Sequence, residues 1–459
     1  MGIRIRRGVI PLVLAAASFV LALLQRPGFS SSDTKIDLHT RPGGLLADVA
    51  HLWTSTAGLG GVESAQYSGY LFPMGPFFAA LHGLGVSDWV ADRLWLGLLL
   101  ALGCWGVVRL GDVLFERPRG VAHAVAGAIY LLNPYVVVFA NRTTVTLLAY
   151  AALPWLVLLA FRAVRQPRGW RLPAAFALVL TASGPGVNVA VVAFVLLGPA
   201  LLVLYDVWLR VVPGRDAWAF TWRAGVTSLV ASLWWLAPAA AQAKYGIDFL
   251  KFTEPAGAIW STTSLTESLR LMGYWIAYIG VGYQGVIHPY FSDAGTLLFK
   301  PLVVVATLMV PGLALSGFAW TRKARYGAYL LALVLLAALL MTLGFPDGTP
   351  LRRAATGAYN HLGSIRFLRT TYKAGPLLAL GIAGLGGLAA ALAAERLRGA
   401  ARVGAAALLL AVLAASAWPL VRGQAVDSQV TWRQVPSAWR AAAAAVDRNL
   451  PDDRRALVL

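Results

Sequence analysis

Residues 366–394 read RFLRTTYKAGPLLALGIAGLGGLAAALAA, and this stretch decides the fold. Its last twenty residues, Gly375 to Ala394, carry no charge. At about 1.5 Å per residue in a helix they reach across roughly 30 Å of bilayer hydrocarbon. Gly381, Gly384, Gly386 and Gly387 fall inside the run and read as small residues for close helix packing, not as a dinucleotide-binding loop. Further apolar runs lie near 9–24, 91–114, 121–139, 144–161, 172–184, 187–209, 224–241, 296–319, 326–344 and 403–420, which makes eleven spans in all. Composition agrees: of 459 residues 58% are hydrophobic and 13% charged, whereas a soluble domain carries about 25% charged residues. An outer-membrane barrel is excluded, because its strands are only about 10 residues long and alternate in polarity. The expected fold is an all-α polytopic membrane protein with about eleven transmembrane helices and long external loops.

Charge placement supports that count. Arg4, Arg6 and Arg7 precede the first run, which passes into Gln25-Arg26-Pro27 without a small-x-small cleavage site, so the segment reads as a retained signal anchor with a cytoplasmic N-terminus. Alternating the spans from there puts five short loops inside, and each is basic: Arg117 and Arg119; Arg162, Arg165, Arg168 and Arg171; Arg210, Arg215 and Arg223; Arg322, Lys323 and Arg325; Arg396, Arg398 and Arg402. The net charge of +19 therefore reflects topology, and no nucleic-acid partner is expected. Residues 1–420 form the expected transmembrane domain. Residues 421–459 read as the start of an external soluble region, with a helix from Pro436 to about Asp447 and a strand onset at Arg455 to Leu459 that suggests a truncated domain. Three long external segments remain at 26–90, 242–295 and 345–374, and two of them contain apolar pieces, Tyr70 to Leu84 and Leu269 to Gly280, too short to cross, interrupted by Pro73, Gly75 and Pro76 or by Gly273, and expected to be interfacial or re-entrant helices along the outer leaflet.

The polar chemistry gathers in those external segments. Asp33 and Asp37 are four residues apart and so share one helical face at the membrane boundary, where low-dielectric surroundings raise a carboxyl pKa toward the range of a general base. The alternative for each is structural, as a turn or cap residue and as the partner of Lys35 or Arg41. The loop 345–374 is basic although external; Arg366, Arg369 and Lys373, with Tyr372 between them, recur at spacings of three and four and suit a phosphate group. Attraction to lipid headgroups is the competing explanation. Glu254 and Trp260 are expected sugar or acceptor contacts, as are Tyr67 and Tyr70, with loop carboxylate and interfacial anchor as the bland alternatives. Asp92 and Arg93 read as a local pair. The lone Cys104 allows no internal disulfide, and the chain has no Walker A loop, HExxH or paired CxxC. No cofactor and no metal is required by the sequence.

Asp33-Thr34-Lys35-Ile36-Asp37-Leu38, Ala50-His51-Leu52-Trp53, QYSGYLFPMGPFF at 66–78 and Asp92-Arg93-Leu94-Trp95 together resemble the N-terminal membrane region of the actinobacterial α-(1→3)-arabinofuranosyltransferases of the AftD type, a likeness that returns at Arg366 to Gly375. The resemblance implies a GT-C glycosyltransferase working outside the cytoplasmic membrane. It implies decaprenyl-phosphoryl-D-arabinofuranose as donor, an arabinan-type polysaccharide as acceptor, and an acidic residue of the first external loop as the catalytic one, with Asp33 in the matching position and Asp37 as the neighbouring alternative. Members of that family are much longer, with external carbohydrate-binding regions after the membrane core. The main rival is a transporter or flippase of a lipid-linked sugar, which also needs many helices and a phosphate site; internal repeats and mid-span acids, its usual marks, are not evident. A scaffold presenting an external domain is the third reading.

Overall fold

Inside hydrocarbon every backbone N–H and C=O needs a partner within the chain, so apolar runs of this length become helices. The computed structural model of the chain describes residues 8–31, 33, 35–54, 60–62, 67–141, 143–247, 253–283, 286–363, 366 and 369–450. Helix α1 (Val9–Leu23) leads into the first long loop, which folds into α2 (Ile36–Thr40), α3 (Pro42–Val49) and α4 (Met74–Gly83). The bundle resumes with α5 (Asp88–Leu114), α6 (Val121–Leu131), α7 (Pro134–Ala140), α8 (Val145–Ala163), α9 (Arg171–Ala182), α10 (Val189–Trp208) and α11 (Gly214–Tyr245). The second long loop carries α12 (Ala256–Trp260), α13 (Leu265–Leu269) and α14 (Ser292–Phe299), and α15 (Pro301–Ser316), α16 (Phe318–Thr321) and α17 (Gly327–Met341) follow. After α18 (Pro350–His361) in the third long loop come α19 (Gly375–Arg396), α20 (Gly399–Ser416), α21 (Trp418–Val421) and α22 (Ser437–Asn449).

All eleven expected runs are helical, but they are not equal. Among the described residues seven helices are long and apolar enough to cross a membrane, the bent pair α6–α7 would be an eighth, and α1, α9 and α17 are shorter apolar helices. The run 121–139, expected to be one span, breaks with a 41° bend. Asn133 causes the break: its side chain caps α7 by accepting the Val136 N–H, and Pro134 occupies the first helical position, where its missing donor costs nothing. The quoted stretch becomes α19, buried along most of its length among α6, α15 and α17. Its glycines permit the contact, since a Cβ on Gly387 would lie 2.4 Å from the Ala122 carbonyl oxygen and one on Gly381 would lie 2.8 Å from that of Leu330.

The five basic loops meet at one end of the bundle. Arg117 pairs with Glu395, Arg325 lies 3.6 Å from Glu116, Arg223 donates to the Pro167 carbonyl, and Arg165 joins Asp206 at 2.9 Å and Tyr326 at 2.7 Å. The long loops occupy the other end. There Ser30–Ser31 pairs antiparallel with Thr431–Trp432, so the tail is tied back to the first loop. Tyr70 to Leu84 forms a 3-10 turn (Tyr67–Leu71) followed by α4. Leu269 to Gly280, expected to be an interfacial or re-entrant helix interrupted at Gly273, is not helical over that range: α13 ends at Leu269, positive φ at Leu271 (60°) and Gly273 (98°) turns the chain, and a short 3-10 turn spans Trp275–Tyr278. The tail helix is α22, and the strand onset expected at 455–459 lies outside the described residues.

Candidate active site

Asp33 precedes α2 and is not part of it. Its φ of +31° is left-handed, a conformation Asp tolerates better than most residues, and Lys35 is extended before the helix begins at Ile36. The expectation that Asp33 and Asp37 share a helical face is therefore corrected: Asp37 sits in the first turn of α2, while the Asp33 carboxylate turns to the start of α8. One oxygen accepts the Thr144 N–H at 2.9 Å and the other accepts the Thr144 hydroxyl. Burial raises the Asp33 carboxyl above the ordinary carboxylate range, nearby Asp92 raises it further, and His39 and the two Thr144 hydrogen bonds hold it back.

Asp92 is the centre of this cluster, and sequence reasoning missed its role. It does pair with Arg93, at 3.1 Å, yet it also accepts the Ser31 hydroxyl and N–H and lies 3.0 Å from His39 Nδ1. Arg93 donates onward to the carbonyls of Gln25 (2.8 Å) and Phe29 (3.1 Å), while Gln25 reaches the Leu420 carbonyl at 2.8 Å. The first loop is thus bound to the bundle through a buried polar chain. The only sequence signal for it was a carboxylate beside a guanidinium at the outer start of a long apolar helix.

The cationic loop does not form one helical face, because regular helix begins only at Gly375 and a short 3-10 turn, Thr371–Ala374, precedes it. Arg366 donates to the carbonyls of Tyr359 (3.2 Å) and Asn360 (3.1 Å). Arg369 is buried, donates to Thr253 Oγ1 at 2.6 Å and lies 3.6 Å from the Glu254 carboxylate. Glu254 and Arg369 are also the charged groups close enough to act on Lys373. The structure therefore gathers Glu254, Arg369 and Lys373 and sets Arg366 aside. Trp260, expected as an open sugar platform, is buried: its indole N–H donates to the Arg369 carbonyl at 2.9 Å, Gly344 packs on the ring and the Arg352 guanidinium lies 4.8 Å over it. Tyr372 is likewise buried, against Phe139 and Tyr274, and Tyr70 is buried with Lys35 6.0 Å from its ring centre. The Tyr67 backbone opens the 3-10 turn at Tyr67–Leu71; its side chain lies outside the described residues.

Helix α7 links the two centres. Phe139 packs on Tyr372, and five residues later Thr144 holds Asp33, a separation the backbone spans in at most about 18 Å. The acid and the cations thus share one end of the bundle. Among the described residues no group of three or more His, Cys, Asp or Glu could hold a metal ion.

This arrangement of long apolar helices, with polar loops gathered at one end, is that of a multi-pass membrane protein. The sequence profile of the α-(1→3)-arabinofuranosyltransferase N-terminal GT-C domain matches residues 17–459, and the chain belongs to that family. Relatives include the α-(1→3)-arabinofuranosyltransferase of Mycolicibacterium smegmatis, 30% identical over 97% of this chain and 31% of the relative, and that of Mycobacterium tuberculosis, 29% identical over 80% of this chain and 25% of the relative. The cryo-EM structure of arabinofuranosyltransferase AftD from mycobacteria superposes with a TM-score of 0.72 at 26% identity, over 97% of this chain and 29% of that one. The chain spans about a third or less of the length of these relatives.

Proposed function

We propose that this chain is the membrane core of a glycosyltransferase that moves arabinofuranose from a polyprenyl-phosphate donor to an arabinan acceptor outside the cytoplasmic membrane. Asp33 carries the reading. A carboxylate fixed by two hydrogen bonds to Thr144, with its proton affinity raised by burial, suits the removal of a proton from a sugar hydroxyl. The hydroxyl oxygen attacks the anomeric carbon, its proton passes to Asp33, and the bond from that carbon to the phosphate oxygen breaks. The leaving polyprenyl phosphate gains charge in that step, and Arg369 and Lys373 offer two cations against the carboxylate of Glu254. The donor's tail lies in the bilayer beside the helices. The basic loops face the cytoplasm, as the positive-inside rule requires, and the long loops face outward.

The test is transfer by membranes containing the full chain, supplied with labelled lipid-phospho-arabinose and a synthetic arabinan acceptor. Asp33→Asn should lower product formation by about 10²-fold or more, the usual worth of a general base. Wild-type transfer by that variant would end the assignment, and movement of donor across the membrane without product would favour a flippase.

A further inference from the structure

The His39 imidazole is completely buried, edge-on to Phe78 at 4.7 Å, with Nδ1 3.0 Å from Asp92. Both ring nitrogens are buried and neither has a hydrogen-bond partner among the described residues, so the approach of Nδ1 to Asp92 is a close charge contact. The ring is held in place from the far side, because Asp92 is itself fixed by Ser31 and Arg93. We propose that His39 is a positioning residue for the base: clamped by Asp92, it carries a proton, and the resulting positive charge keeps Asp33 in the carboxylate form that can accept a proton from the acceptor.

Charge balance supports this assignment. Among the described residues the cluster around His39 contains two carboxylates, the part-buried Asp33 and the buried Asp92, and one buried guanidinium, Arg93. A surplus buried negative charge is relieved by taking up a proton. Asp92 cannot easily be the group that takes it, since three donors already converge on it. If His39 is charged the cluster is neutral and Asp33 stays ionised; if it is not, the proton goes to Asp33. Burial alone would depress the imidazole, but Asp92, then Asp33 and Asp88, raise it above the ordinary histidine range. Among the described residues the other charged or titratable groups around α2 include Lys35 at its start and Asp37 in its first turn, His82 on α4, which lies 3.9 Å from Asp88, and Asp48 on α3, which is exposed and paired with Arg41 at 2.9 Å.

The proposal rests on the transferase reading only for its kinetic test. In membranes, His39→Gln should move the acidic limb of the transfer–pH profile to higher pH by about one pH unit or more, because an opposite charge has left the carboxylate. Below the displaced limb the rate falls about tenfold for every pH unit, and it recovers at alkaline pH with KM unchanged. Asp92→Asn removes the clamp and a repelling carboxylate together, which leaves Asp33 balanced by Arg93, so the limb should move less than in His39→Gln. Imidazole nitrogen NMR of the unmodified chain in detergent decides the point without activity: His39 should remain doubly protonated above the ordinary histidine range and lose that proton in Asp92→Asn. A His39 resonance that titrates at or below the ordinary value would overturn the proposal, as would a His39→Gln profile lowered equally at every pH. If the unmodified chain makes no product, the transferase reading fails, and the NMR titration still decides the role of His39.

Discussion

Asp33 shows how one residue's chemistry is set by partners remote in sequence. Its carboxylate is held by Thr144, and its proton affinity is raised by burial and by Asp92 and held back by His39. Removing the Thr144 hydroxyl with Thr144→Val leaves the backbone N–H but takes away one hydrogen bond to the charged form. Such a bond favours the carboxylate, so its loss raises the Asp33 pKa, and the acidic limb of transfer should move to higher pH. A rate–pH profile of that variant measures the displacement, and an unmoved limb would deny that Thr144 tunes the base. Asp37, by contrast, lies in the first turn of α2 and takes no part in the hydrogen bonds that hold Asp33, and Asp37→Asn should keep most of the wild-type rate. Asp33 was legible as a candidate because an acid in a polar run beside the membrane is conspicuous. The placement of His39 and Thr144 was not, since nothing in a linear string brings residues 33, 39, 92 and 144 together.

At the level of elements, helices were legible and their interruptions less so. A run such as 121–139 is apolar throughout, and its break depends on one cap: Asn133 accepts the Val136 N–H and donates to Tyr150 Oη at 2.9 Å. Asn133→Ala should lose about 1 kcal/mol for the cap and about 0.6 kcal/mol for the interhelical hydrogen bond, read as a lower unfolding midpoint in detergent. An unchanged midpoint would mean that Pro134 alone sets the bend. The string QYSGYLFPMGPFF also gains a physical reason. A Cβ on Gly69 would lie 2.3 Å from the Gly186 carbonyl carbon, so the first loop seats backbone to backbone on the α9–α10 connection. Gly69→Ala must push these segments apart, and the yield of monodisperse protein on size exclusion should fall sharply. A normal yield would show that this contact is dispensable. The cationic loop was misread for a related reason: spacings of three and four imply one face only where the chain is helical, and α19 starts after Lys373.

For the molecule as a whole, the decisive property is that its two ends differ in charge. One end collects the basic loops, tied together by Arg117–Glu395 and Arg165–Asp206; the other holds Asp33, Asp92 and the Glu254–Arg369 pair. Moving lysines and arginines across a bilayer is costly, so the basic end should remain in the cytoplasm. The chain lends itself to a direct test because its lone cysteine, Cys104, is buried and provides no reactive background. Gly43→Cys places a thiol at the loop end, where an added Cβ meets open space, and Arg398→Cys places one at the basic end, on an exposed residue. A membrane-impermeant maleimide applied to intact cells should label Gly43→Cys, and should label Arg398→Cys only after permeabilisation. Labelling of both from outside would contradict the alternation of spans, and labelling of Arg398→Cys alone would invert it. An inverted molecule would face the acid and the cations toward the cytoplasm, where the proposed external transfer could not take place.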